Sequence, residues 1–155
     1  MPDMQKLAVC LWFDNNAEDA VAFYASVFPE LKTLGTRDYP ADATGARRVL
    51  TVEFELFGTS IIALNGGPHF HFNEAVSLVV NCDTQSEIDT YWEKLVEGGS
   101  AQQCGWLKDR YGLSWQIVPR ALPKLLNSSD PGKSARVMAA MMSMIKLDLN
   151  ALQAA

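Results

Sequence analysis

Cysteine is scarce in this chain and histidine scarcer: three and two in 155 residues. Cys10, Cys82 and Cys104 are odd in number and never spaced CxxC. That argues against a disulfide framework and points to free thiols in a reducing, cytoplasmic setting. A long apolar run is also missing. None approaches the ~18 residues of a membrane span, so no membrane partner is expected. Met1-Pro-Asp-Met-Gln-Lys6 has neither the cationic start nor the small-residue cleavage site of a signal peptide. Clustered basic residues are absent too. The net charge is −5, and Arg47-Arg48 is the one tight basic pair. A nucleic-acid partner is therefore not expected.

What the chain does have is a unit written twice. Leu7–Phe13 reads as a strand, leads through Asp14 into a helix-like run over 16–28, and strands follow. Ala75–Cys82 leads through Asp83 into 84–97, and strands follow again. At an offset of 68, Ala20, Phe23, Tyr24 and Val27 superpose on Ile88, Tyr91, Trp92 and Leu95. A fixed self-similar period is the first thing to read in a sequence. Here it implies paired strand–helix–strands modules curling one pocket between them. At 155 residues, one domain suffices, with roughly 70% of the unfolded chain's surface hidden on folding.

The local signals agree. Asn16 is a candidate N-cap for helix one and Pro29 stops it. Leu50, Val52, Phe54 and Leu56 alternate with Val49, Thr51, Glu53 and Glu55, the mark of a half-buried antiparallel strand. Thr84-Gln-Ser-Glu87 forms a capping box. Ala101–Leu107 and Leu113–Pro119 read as strands joined by a turn. After Pro119 the tail is helical, with Asp130-Pro131 as a capped start, a Met-rich stripe through Met138, Met141 and Met142, and a candidate edge strand over 146–150. The boundaries read as a single domain over 1–155, with module one at 5–66, module two at 75–120 and the tail at 121–155.

Several segments carry a family resemblance over nearly the whole chain. They include Leu11-Trp-Phe-Asp14, Ala22-Phe-Tyr24, Val52-Glu-Phe-Glu55 and Ala63-Leu-Asn-Gly-Gly-Pro-His-Phe70. Val79-Val-Asn-Cys82, Gln103-Cys-Gly-Trp-Leu-Lys-Asp109 and Tyr111-Gly-Leu-Ser-Trp-Gln116 complete the set. The chain resembles the vicinal oxygen chelate superfamily of glyoxalases, bleomycin-resistance proteins and dioxygenases. More closely it resembles the PhnB-like branch, labelled demethylubiquinone methyltransferase-like. The resemblance implies an α+β fold of paired βαβββ modules, whose strands form a cupped mixed sheet with helices outside, and it implies a homodimer. It does not extend to a methyl-donor site, since no strand here runs through a Gly-rich loop into a helix.

Members of that superfamily hold a divalent ion with His, Glu or Gln from four strands. The corresponding positions fall near Leu7, near Val76 and on Gln116. Two are aliphatic, so neither a metal nor any other cofactor is expected. Glu53 remains as an oxygen donor. The candidate ligand-binding residues are Trp12, Glu53, His71, Cys104, Trp106 and Gln116, which bring polarity or a flat apolar wall to a small-molecule pocket. Each has a plainer role: loop histidine, small core thiol, packed indole. The functional reading is a small-molecule-binding protein of this fold. The alternatives are a metal-dependent isomerase, lyase or dioxygenase, and a non-catalytic protein that sequesters its ligand between tryptophans.

Overall fold

A computed structural model describes residues 5–155. The chain divides into two compact units between His71 and Phe72. Unit one runs β1 (Val9–Phe13), α1 (Ala17–Val27), β2 (Lys32–Asp38), β3 (Val49–Leu56) and β4 (Thr59–Asn65). Its four-stranded sheet has the order β1-β4-β3-β2. β1 is parallel to β4, and the other two pairings are antiparallel.

The strand alternation is realised from Val52 onward, while Leu50 is only half-buried. Val52, Phe54 and Leu56 are buried on the face that packs on α1, together with Leu11, Phe13, Ile61 and Ala63. From α1 come Ala20, Val21, Tyr24 and Val27. Phe23, one of the residues that repeat in the second helix, is only half-buried, and Val21 fills the face instead. Asn16 makes no side-chain capping bond. The bond comes from outside the helix: Asn65 Oδ1, at the end of β4, accepts from Ala17 N–H at 2.9 Å. β3 and β4 meet through Phe57 and Gly58, with φ of 48° and 82°. That is the left-handed pair a two-residue hairpin turn requires.

Unit two repeats the order with β5 (Ser77–Cys82), α2 (Gln85–Val96), β6 (Ser100–Ala101), β7 (Trp106–Lys108) and β8 (Ser114–Pro119). Its sheet is β5-β8-β7-β6, again with a parallel first pair. The architecture is thus α+β, with two mixed four-stranded sheets of βαβββ order, neither of them closed. The cap read at Thr84 forms, with Thr84 Oγ1 accepting from Glu87 N–H at 3.2 Å, but the return bond reaches one residue further back: Glu87 Oε2 accepts from Asp83 N–H at 3.0 Å.

Two readings of unit two need correcting. The strand read over 101–107 is broken into β6 and β7. Cys104 and Gly105 adopt φ of 60° and 81°, which extended strand cannot accommodate. Gly105 is also too close to its neighbours for a side chain: a Cβ there would lie 2.9 Å from Leu147 Cγ and 3.0 Å from the Ile117 carbonyl oxygen. The edge strand read over 146–150 is instead the start of α5 (Leu149–Ala154), capped by Asp148. The preceding residues still act like an edge, because Cys104 and Gly105 N–H donate to the Met144 and Ile145 carbonyls, each at 2.8 Å.

With α3 (Leu122–Leu126) and α4 (Pro131–Met142), α5 encloses a core of Val118, Leu122, Val137, Leu147 and Leu152. Gln85 clasps this tail. Its amide donates to the Leu147 carbonyl at 3.0 Å and accepts from Leu149 N–H at 2.8 Å.

Asp109 anchors the β7–β8 turn. It is 2% exposed and accepts from Tyr111 N–H at 2.8 Å, Leu113 N–H at 3.1 Å and Trp115 Nε1 at 2.9 Å. Removing it strands three buried or half-buried donors. Asp109→Ala is therefore expected to cost about 3 kcal/mol, read as a drop in the urea midpoint at unchanged m-value. A loss below about 1 kcal/mol, the net worth of one ordinary hydrogen bond, would show that the three bonds do not hold the turn.

Candidate functional site

Each sheet has one face against its helix and one turned away from it. The second face carries the chemistry. In unit one it presents Cys10 and Trp12 from β1, Ile62 and Leu64 from β4, and Thr51, Glu53 and Glu55 from β3, as the strand alternation and register require. Trp12 Nε1 donates to the Gly67 carbonyl at 2.9 Å, and Phe70 meets the indole edge-on at 4.9 Å. Gly66 lies so close to that indole that a Cβ would overlap it. The linker after β4 therefore folds back over Trp12. Glu53 has a side chain 19% exposed and pairs with Arg37 Nε at 3.0 Å.

In unit two the corresponding face carries Ser77 and Val79 from β5, Trp106 and Lys108 from β7, and Ser114 and Gln116 from β8. Trp106 and Gln116 are direct cross-strand partners. Gln116 Nε2 donates to Ser77 Oγ at 2.9 Å, which fixes the amide and leaves its carbonyl oxygen as an acceptor. Lys108 pairs with Glu74, and this bond is the main reason the Glu74 carboxyl titrates below its ordinary value. Among the described residues, Ser114 Oγ, like Thr51 Oγ1 in unit one, is buried without a hydrogen-bond partner. Such hydroxyls are uncommon in folded proteins.

The six residues singled out by sequence fall into three placements. Trp106 and Gln116 are adjacent, and Cys104 lies in the turn just before β7, its Sγ 3.7 Å from Met142 Sδ. Trp12 and Glu53 share one sheet face but are separated by β4, where they oppose Leu64 and Ile62. His71 is exposed and belongs to neither sheet. Trp115 points the other way and is buried on the α2 side. Sequence reasoning did not find Arg37, Ser77, Phe70 or Met142, which position Glu53, Gln116, Trp12 and Cys104. Their roles depend on strand register and loop path, which residue alternation does not encode.

Leu7 and Val76, near the usual ligand positions, are 85% and 63% exposed and carry no donor atom. Among the described residues no three or more His, Cys, Asp or Glu side chains come together to hold a metal ion. The three cysteines are unpaired. Burial raises the Cys10 thiol. Burial, helped by the charges of Glu87 and Asp83, pushes Cys82 up to about 12.

The family model of 3-demethylubiquinone-9 3-methyltransferase matches residues 5–118. Among solved structures, a PhnB protein from Bacillus cereus shares 32% identity at a TM-score of 0.66, over 74% of this chain and 99% of that one. Protein PA1353 from Pseudomonas aeruginosa shares 20% at 0.59, over 75% and 98%. The fosfomycin resistance protein FosX from Listeria monocytogenes shares 14% at 0.57, over 80% and 97%, and supports the fold alone. No curated protein matches the chain. The matched span stops at residue 118, so α3, α4 and α5 lie beyond it.

The burial of Cys82 predicts its reactivity. With its pKa near 12, Cys82 is ionised in only about one molecule in ten thousand at pH 8, and the thiolate is the nucleophile. Iodoacetamide at pH 8 should leave Cys82 unmodified in the folded protein and label it after denaturation, as read by peptide mass spectrometry. Rapid labelling of Cys82 in the folded state would contradict the burial described here.

Proposed function

The chain belongs to the 3-demethylubiquinone-9 3-methyltransferase family, the PhnB-like branch of the vicinal oxygen chelate superfamily, and from that premise we propose that it binds a small molecule on the sheet faces turned away from its helices, without the superfamily's metal. The observation that carries this reading is the pairing of Trp106 with Gln116 across β7 and β8, with the amide oriented by Ser77. A flat apolar wall beside a few fixed polar groups is how proteins hold small ligands. Cys104 borders this pair. Unit one carries a comparable face of its own with Trp12 and Glu53, and His71 lies in the linker after it. Glu53 is poised by Arg37, and Trp12 is held by the linker carbonyl of Gly67.

The family's description names a methyl transfer, which is not part of the proposal. Both strand-to-helix turns are free of glycine: Asp14-Asn15-Asn16 and Asp83-Thr84. They do not offer the backbone cradle on which methyl-donor nucleotides are held. We also propose a homodimer in the cytoplasm. Two features support the assembly. β1 and β5 are edge strands of their own sheets with Leu7, Val76 and Val79 exposed beside or on them, and Met138, Met142 and Ile145 are exposed on the tail. Open edges of this kind are usually covered. The free thiols support the compartment.

Native mass spectrometry against a metabolite library supplies the ligand. Gln116→Ala should then weaken that ligand about three- to tenfold, the worth of one neutral hydrogen bond, with circular dichroism unchanged. An unaltered affinity in both Gln116→Ala and Trp106→Phe would remove the site. Protein purified without a histidine tag and soaked with manganese, nickel or zinc should retain no metal on these faces. Metal held by Glu53 or Gln116 would replace this reading with a metal-dependent isomerase, lyase or dioxygenase. Sedimentation at micromolar concentration should show a dimer, and monomer alone would refute the assembly.

A further inference from the structure

Unit one contains a cavity on a different part of its surface, at the ends of β2, β3 and β4 where α1 begins. Its volume is about 560 Å³ and its lining includes Glu18, Tyr39, Arg47, Arg48 and Asn65. This lies in the size range of sites for small organic ligands.

The floor is built from one buried side chain. Asn65 is 5% exposed. Its Oδ1 accepts from Ala17 N–H, its Nδ2 donates to Glu18 Oε1 at 2.6 Å and to the Val49 carbonyl at 3.0 Å, and its own carbonyl accepts from the Tyr39 hydroxyl at 2.5 Å. Tyr39 is thereby fixed, and Arg48 lies over its ring with Cζ 4.6 Å from the centroid. Glu18 is likewise held by the Asn65 amide. One buried residue therefore holds the anion Glu18 directly and, through the Tyr39 ring, the cation Arg48, both of which line the cavity.

The charges decide what would enter. Arg47 already pairs with Asp38, Nε to Oδ2 at 2.8 Å. Among the described residues, neither Arg48 nor Glu18 makes a salt bridge; Arg48 acts on Asp42 only at longer range, as a minor cause, behind the Thr44 hydrogen bonds, of that carboxyl lying below its ordinary value. A simple anion would meet the Glu18 carboxylate, and a simple cation would meet the Arg48 guanidinium. Each would gain one attraction and suffer one repulsion. A molecule carrying both charges answers both groups. We propose that this cavity is a binding site for a zwitterionic small molecule of the α-amino acid class, its carboxylate on Arg48 and its ammonium on Glu18. The guanidinium fork suits a carboxylate, and its rest on Tyr39 limits the freedom lost on binding. The site is separate from the sheet-face site and does not depend on it.

Three probes of one shape test the proposal: L-phenylalanine, 3-phenylpropionate and phenethylamine. They are titrated into the full chain and followed by amide shifts in ¹H–¹⁵N correlation spectra. Phenylalanine should give saturable shifts centred on Asn15, Glu18, Tyr39 and Arg48. Each singly charged probe should bind about tenfold more weakly or worse, as should phenylalanine to Arg48→Gln or Glu18→Gln, because a charge-assisted hydrogen bond is lost in each case. Arg47→Gln, whose charge is already paired, should change affinity less than about threefold. Phenylpropionate binding as tightly as phenylalanine would overturn the zwitterion assignment. So would an equal loss in Arg47→Gln and Arg48→Gln. Shifts centred instead on Trp106 and Gln116 would place the ligand in the sheet-face site and remove this one. No saturable shift with any of the three probes at millimolar concentration would also end the proposal.

Discussion

Unit one depends on a single amide. At the end of β4, Asn65 gives α1 the capping bond that Asn16 does not make, ties β3 at Val49, and anchors the loop after β2 through Tyr39. A buried amide with both ends satisfied costs little, whereas one with an end unmet is expensive. The geometry around it is therefore close to all-or-none. Helix entry, strand start and loop path are set together, and the cavity between them inherits that rigidity.

Unit two solves the same problem at a different place. There the buried anchor is Asp109, in the turn between the last two strands, where it fixes the Trp115 indole. Trp115 fills the α2 face, and Gln116, next along the strand, must face the opposite way. The orientation of the candidate ligand-binding amide thus follows from a bond made by its neighbour. The tail adds a further constraint. Gln85 and the Cys104–Gly105 turn both bond to its backbone, so the segment next to Trp106 is held from two sides.

Much of this was legible in the residues. The duplicated strand–helix–strands order, the β3 alternation from Val52 onward and the Thr84 cap rest on local spacing, and local spacing survives into the fold. The failures share a cause. Asn16 has the right type for a cap, but a side chain distant in sequence took the role. The strand over 101–107 was misread because Cys104 adopts a left-handed conformation usual for glycine or asparagine, and the tail packed behind it is what makes that tolerable. Among the site residues, the positions of Trp106 and Gln116 could be read from alternation. Their being neighbours could not, since register between non-adjacent segments is set by turns and bulges. In the sequence Arg48 is only half of a basic pair, and the stacking on Tyr39 is what shows it to be oriented.

In both units the first strand lies parallel to the last: Val9 beside Ile61, and Leu78 beside Trp115. A chain emerging from the ribosome presents β1 long before its partner exists. Until β4 leaves the exit tunnel, β1 has no strand to pair with and its apolar side has no sheet to join. Each unit is thus sealed by its final strand, and closing such a long loop is slow compared with forming a hairpin. The interval is set by the rate of translation. During it, the apolar side chains of Leu11 and Phe13, buried in the finished unit, have nothing to pack against and are open to association.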